Sequence, residues 1–259
     1  MKAGEYYWKN IDPWQRRLLT CWDRYIILNC SRQSGKSSSL MVKAFWKALT
    51  TEDAIILIIA EQRQSNEDMR KVKNLVKSYD KWLSERHGGK WRLTPTTDNV
   101  TSVEFANGAR IIALPSNEKV RGYSAPTMVI LDEAAYQDDQ VFVSVDPMLE
   151  VSNGQLILAS TPKGNQGFFA TEWKTNPRYT RFEVPWWDCP RISKESIERK
   201  RLIYGDAYVD QEYCCKFLDD ASALFTEASL AGSIDENESI MEDQAKAFQE
   251  IMYGAKDLV

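Results

Sequence analysis

The segment Cys30-Ser31-Arg32-Gln33-Ser34-Gly35-Lys36-Ser37 constrains the fold more than any other stretch of the chain. It follows an apolar run, YIILNC at residues 25–30, and precedes Leu40, Ala44, Phe45, Ala48 and Leu49, which share one face of an amphipathic helix. A buried strand, a polar turn ending in Gly-Lys-Ser and a helix beginning near Lys36 are the parts of a phosphate loop, G-x-x-x-x-G-K-[ST]. Every fixed position matches except the first glycine, where Cys30 stands. Gly-Lys-Ser alone is a weak signal. The strand-to-helix context strengthens it, because a helix N-terminus offers free N–H groups and a positive dipole end to an anion. There Lys36 would reach the β- and γ-phosphates of a nucleotide and Ser37 would ligate Mg²⁺.

Around this loop, short apolar runs alternate with longer helical patterns, the signature of a parallel sheet covered by helices. Runs at 54–59, 127–131 and 155–159 do not alternate in polarity, which predicts strands buried on both faces. Residues 65–86 read as a long surface helix with Met69, Val72, Leu75, Val76, Tyr79 and Leu83 inward. Its many lysines and arginines, which continue to Arg92, read as a solvated face. Segments 100–105 and 110–114 flank Asn107-Gly108 and predict a hairpin. A further strand is expected at 179–184, helices at 193–204 and 206–217, and a short amphipathic helix at 241–252.

The run Met128-Val129-Ile130-Leu131-Asp132-Glu133 ends a predicted strand in two acids. Acids at the carboxyl edge of a parallel sheet stand where ligands bind. Asp132 would hold Mg²⁺ or its water, and Glu133 would orient and deprotonate an attacking water. Adjacent acids, with the extra strand at 54–59 between loop and acids, predict an α/β P-loop NTPase of the ASCE type. Its mostly parallel central sheet would be flanked by helices, with a small helical lid or linker subdomain. Ser160 and Thr161, at the end of the next buried strand, are placed to sense a terminal phosphate.

With 43% hydrophobic residues the chain can build a core, so disorder is excluded for most of it. A net charge of −4 argues against coating a polyanion by bulk electrostatics. Residues 232–259 hold seven acids and two lysines, which leaves the rest close to neutral. Five cysteines without a C-x-x-C pair and a single histidine, His87, fit neither a zinc site nor a disulfide framework. The longest strongly apolar stretch, 54–60, is too short to span a bilayer, and no signal peptide is visible, so a soluble intracellular protein without membrane contact is expected.

Together these motifs resemble the large subunit of viral and phage terminases, the ATP-driven DNA packaging motors. The resemblance runs from Asp12 to about Phe225. It includes Pro13-Trp14-Gln15, similar to an adenine-recognising Q motif; the arginine-containing phosphate loop Ser31–Ser37; and Arg63-Gln64-Ser65. It continues through Val120-Arg121-Gly122-Tyr123-Ser124, Ile130-Leu131-Asp132-Glu133-Ala134-Ala135, the coupling motif Ser160-Thr161-Pro162, and Gln211-Glu212-Tyr213 followed by Phe217. The missing first glycine is expected in that family.

The resemblance implies that ATP and Mg²⁺ are bound by Gln15, Ser31, Arg32, Gln33, Ser34, Gly35, Lys36, Ser37 and Asp132. Gln15 would read the adenine edge, with Trp14 and Tyr6 as stacking neighbours, and Arg32 would neutralise γ-phosphate charge in cis. Arg121 would be the arginine finger that a neighbouring subunit inserts, and Glu133 the catalytic base. The implied function is ATP hydrolysis coupled to translocation of double-stranded DNA into a procapsid. The implied partners are a portal protein and a small terminase subunit, with a homo-oligomeric ring on the procapsid and a monomer in isolation. The implied location is the cytoplasm of an infected host cell. A helicase-like DNA-dependent ATPase, or a nucleotide-binding fragment without independent turnover, are the alternatives. The expected organisation is an ATPase core at 1–185, lid or linker helices at 186–225 and an acidic tail at 226–259. About 34 residues follow Phe225, acidic and without strand signal, so no nuclease domain or nuclease activity is expected from them.

Overall fold

The computed structural model describes residues 11–90, 92–117, 120 and 122–219. Its organising element is a set of strands so apolar that both faces must be covered. β1 (Tyr25–Cys30), β2 (Ile55–Ala60), β6 (Met128–Asp132) and β7 (Gln155–Ser160) are buried almost throughout. β8 (Thr180–Val184) closes one edge, and β3 (Thr97–Asn99), β4 (Ser102–Glu104) and β5 (Arg110–Pro115) extend the other. The sheet order is β3-β4-β5-β2-β6-β7-β1-β8. Strands from β5 to β8 in that order run parallel, and β3, β4 and β5 pair antiparallel.

Successive strand residues go to opposite faces, which divides the core in two. Ile26, Leu28, Ile56, Ile58, Met128, Ile130 and Ile157 pack on the side of α1 (Pro13–Thr20), α2 (Lys36–Thr50) and α3 (Gln62–Arg86). Ile27, Leu57, Ile59, Val129, Leu131, Leu156 and Leu158 face α4 (Asp139–Val145) and α5 (Gly167–Thr175). α6 (Lys194–Glu212) follows β8.

The strands expected from the apolar runs are all present, with ends shifted by one or two residues. The long helix begins at Gln62 rather than 65. The hairpin strand expected at 100–105 is shorter, because residues 100–101 form a turn; Gly108 at φ 78° makes the tight connection. The two helices expected after 193 form one element broken at Gly205 (φ 80°, ψ 170°), and it ends at Glu212, not at 217. The described residues up to Phe217 form one compact unit; the helix expected at 241–252 and the acidic tail lie outside the described residues. Among the described residues no helix is long and apolar enough to cross a membrane.

The order β2-β6-β7-β1-β8 corrects one expectation: the strand between the loop strand and the acid strand in the sheet is β7, whereas β2, the strand expected at 54–59, flanks the acid strand on its other side. Register aligns their carboxyl ends: Asn29 pairs with Ser160, and Asp132 with Ala159. The phosphate loop, the paired acids and the Ser-Thr motif therefore emerge side by side.

Candidate functional site

The loop leaves β1 at Cys30, whose side chain is buried and whose backbone pairs with Val184 of β8. Cys30 has no positive φ, so the freedom of the missing first glycine is not needed there. The freedom is used at Gln33 (φ 59°) and at Gly35 (φ 90°), the N-cap of α2. Left-handed residues in a turn before a helix set successive N–H groups around a concavity that suits an anion. The loop is anchored from outside: Ser31 N–H donates to the Val184 carbonyl and Arg32 N–H to the Glu212 carbonyl, both at 2.8 Å. Arg191 clamps its far side, bonding both Asp12 oxygens (3.0 and 2.6 Å) and the Ser34 carbonyl (2.8 Å).

A cleft of about 210 Å³ opens above the loop, lined by residues 31–38 together with Lys71, Glu133 and Thr161. Inside it the Lys36 ammonium lies 3.1 Å from Asp132 Oδ1 and donates to Glu133 Oε1 at 3.0 Å. Burial opposes its charge, yet the two carboxylates outweigh that and hold the Lys36 pKa above its usual value. Asp132 is fully buried; desolvation works against its anion, but Lys36 and a hydrogen bond from the Ser37 hydroxyl keep its pKa low. Glu133 takes a left-handed backbone (φ 55°, ψ 40°) that turns its half-exposed carboxylate back to Lys36. A non-glycine residue held in this region is strained, and such strain collects at functional sites.

Asp132 Oδ2 is buried and lacks a hydrogen-bond partner. That spare oxygen beside the Ser37 hydroxyl fits Mg²⁺, which takes one or two protein oxygens and fills its shell from phosphate and water. Among the described residues no group of three or more His, Cys, Asp or Glu side chains is placed to hold a metal by itself.

Arg32 lines the cleft but is paired with Glu212. Its Nε lies 2.7 Å from Glu212 Oε2, and burial is offset by Glu212 so that its pKa rises. Tyr136 donates to the other Glu212 oxygen at 3.1 Å and lies 3.4 Å from Thr161 Oγ1, which joins the loop, α6 and the end of β7. Ser160 is buried, its hydroxyl without a partner. Gln15 sits behind the loop: Oε1 accepts from Asp12 N–H and Nε2 donates to Ser39 Oγ, both at 2.9 Å. Trp14, expected as a stacking neighbour, is buried in the core. Tyr6 and Arg121 lie outside the described residues.

Sequence reasoning brought Ser31–Ser37, Asp132, Glu133 and Thr161 to one place, but gave no role to Asp12, Lys71, Tyr136, Arg191 or Glu212. The last stands in a quoted motif, and the capping pattern Asp12-x-x-Gln15 was available as a signal for α1.

Comparisons with known proteins bear on the family and the fold. Residues 27–231 match the family model described as terminase large subunit, T4likevirus-type, N-terminal. The large terminase subunit of Thermus virus P23-45 is 26% identical over 228 residues, 75% of this chain and 46% of that protein. The chain thus spans about half the length of the curated relatives it matches. Among solved structures, the large terminase ATPase domain of Thermus phage P74-26 superposes with a TM-score of 0.68 at 20% identity, over 81% of this chain and 94% of that one. A large terminase from a thermophilic bacteriophage, in complex with ATP-gamma-S, gives 0.62 at 15% identity over 81% and 53%. The fold is thus that of terminase ATPase domains, and the chain belongs to the family of terminase large subunit N-terminal domains.

Proposed function

We propose that the cleft binds ATP with Mg²⁺ and hydrolyses it, and that the turnover serves the packaging of double-stranded DNA into a procapsid. The observation that carries this reading is Lys36, held between Asp132 and Glu133 at the mouth of a phosphate loop. A triphosphate entering the cleft competes for the Lys36 ammonium and draws it from both acids. Asp132 and Ser37 would hold Mg²⁺, which would supply positive charge against the phosphates. Glu133, freed of Lys36, accepts a proton from the water that attacks the γ-phosphorus. The bond from that phosphorus to the β,γ-bridging oxygen breaks, giving ADP and phosphate. For Arg32 to meet the γ-phosphate it must leave Glu212. That exchange would pass through Tyr136 to Thr161 and so couple phosphate occupancy to α6. An adenine contact by Gln15 requires its amide to leave Ser39.

The packaging part rests on family membership and on the relatives' description as terminases. Arg121 as a finger supplied in trans, a ring on a portal, a small-subunit partner and a cytoplasmic site of action belong to the same reading. The deciding experiment measures phosphate release by the chain with and without duplex DNA, beside a strand-displacement assay. DNA-stimulated hydrolysis without unwinding is expected. Robust strand displacement would instead establish the helicase-like reading.

A further inference from the structure

Lys71 stands on α3, in the charged stretch that reads from sequence as a solvated face. Its side chain lines the same cleft as the phosphate loop and Glu133. Its ammonium is held 2.8 Å from Asp68 Oδ1, and the same oxygen accepts from Gln64 Nε2 at 3.0 Å. Asp68 is wholly buried, and its second oxygen has no hydrogen-bond partner. A buried carboxylate is costly, and a pair with one partly exposed lysine on the same helix repays little of that cost, so stability alone gives poor grounds for this arrangement. Geometry gives better ones. Asp68 ties down a long flexible side chain and holds its charge over the cleft.

We propose that Lys71 contacts the terminal phosphate of the bound nucleotide and that Asp68 is its positioning residue. The cleft would thereby distinguish a triphosphate from a diphosphate before any chemistry. The inference rests on the reading of the cleft as an ATP site and adds a cation that the phosphate-loop pattern does not contain.

The test measures the affinities of the full chain for ATP-gamma-S and for ADP, each with Mg²⁺, in wild type, Lys71→Gln, Lys71→Arg and Asp68→Asn. Glutamine still donates to Asp68 but carries no charge. Lys71→Gln is expected to lose about tenfold in ATP-gamma-S affinity while ADP stays within about twofold, since only the triphosphate reaches Lys71. Lys71→Arg should recover most of the loss. Asp68→Asn should weaken ATP-gamma-S selectively with Lys71 intact, and it keeps the proposal testable if Lys71→Gln does not fold. An equal loss for both nucleotides, or unchanged ATP-gamma-S affinity, overturns the proposal. A wild-type chain that binds neither nucleotide overturns the reading of the cleft itself, and the proposal with it.

Discussion

Gly35 illustrates how closely single residues fix this site. It adopts φ 90°, and a Cβ there would stand 2.9 Å from Gln15 Nε2. Gly35→Ala therefore combines left-handed strain of about 1–2 kcal/mol with displacement of the Gln15 amide. A loss of about 2 kcal/mol in urea unfolding is expected; a loss below about 0.5 kcal/mol would contradict this geometry. Lys36, Ser37, Asp132 and Glu133 were legible because each follows directly from strand, turn and helix order. Arg32 was legible as a cation in the loop, but its partner Glu212 comes from a distant helix, and no local pattern encodes that meeting. Lys71 was hidden for the opposite reason, since a lysine among many on a long amphipathic helix looks like any other surface charge.

At the scale of elements, α1 and α3 support the site from outside the motif. Lys43 on α2 is fully buried, and its ammonium donates to the Leu18 and Cys21 carbonyls at the end of α1. Lys43→Met strands both carbonyls, so a loss of about 2–4 kcal/mol in stability is expected from chemical denaturation. Loss of less than about 1 kcal/mol would show that water replaces the ammonium. On α3, burial and then the nearby Asp132 charge push the Asp68 pKa up to about 7 from 3.8. A carboxyl group whose pKa is raised by folding contributes stability below its unfolded value and loses it as pH climbs through the folded one. Between pH 5 and pH 8, wild type should therefore lose stability relative to Asp68→Asn, read as converging or crossing urea midpoints. A constant difference would place Asp68 in an ordinary ion pair. Strands were legible because buried parallel strands are continuous apolar runs, but their order in the sheet was not. Element ends were less legible: the break at Gly205 falls at the boundary expected between 204 and 206, but α6 ends at Glu212 and not at 217.

At the scale of the molecule, the cations of the site are each held by a carboxylate: Lys36 by the end of β6 and Arg32 by the end of α6, both distant in sequence, and Lys71 by Asp68 of its own helix α3. Nucleotide binding would exchange the Lys36 and Arg32 pairs while Asp68 keeps Lys71 in place, which would give α6 a means of responding to the state of the cleft. In the proposed reading Arg121 of a neighbouring subunit would complete the site, and turnover would then depend on assembly. Arg121→Ala and Glu133→Gln subunits, each inactive alone, should therefore recover hydrolysis when mixed on portal and DNA. No recovery would assign Arg121 another role. The most direct measurement compares ATP-gamma-S binding and phosphate release for wild type, Lys36→Ala and Glu133→Gln. Lys36→Ala should bind at least about tenfold more weakly, whereas Glu133→Gln should bind within about threefold of wild type and turn over at least about 100-fold more slowly. Near-native hydrolysis by Glu133→Gln, or undiminished binding by Lys36→Ala, would contradict the account.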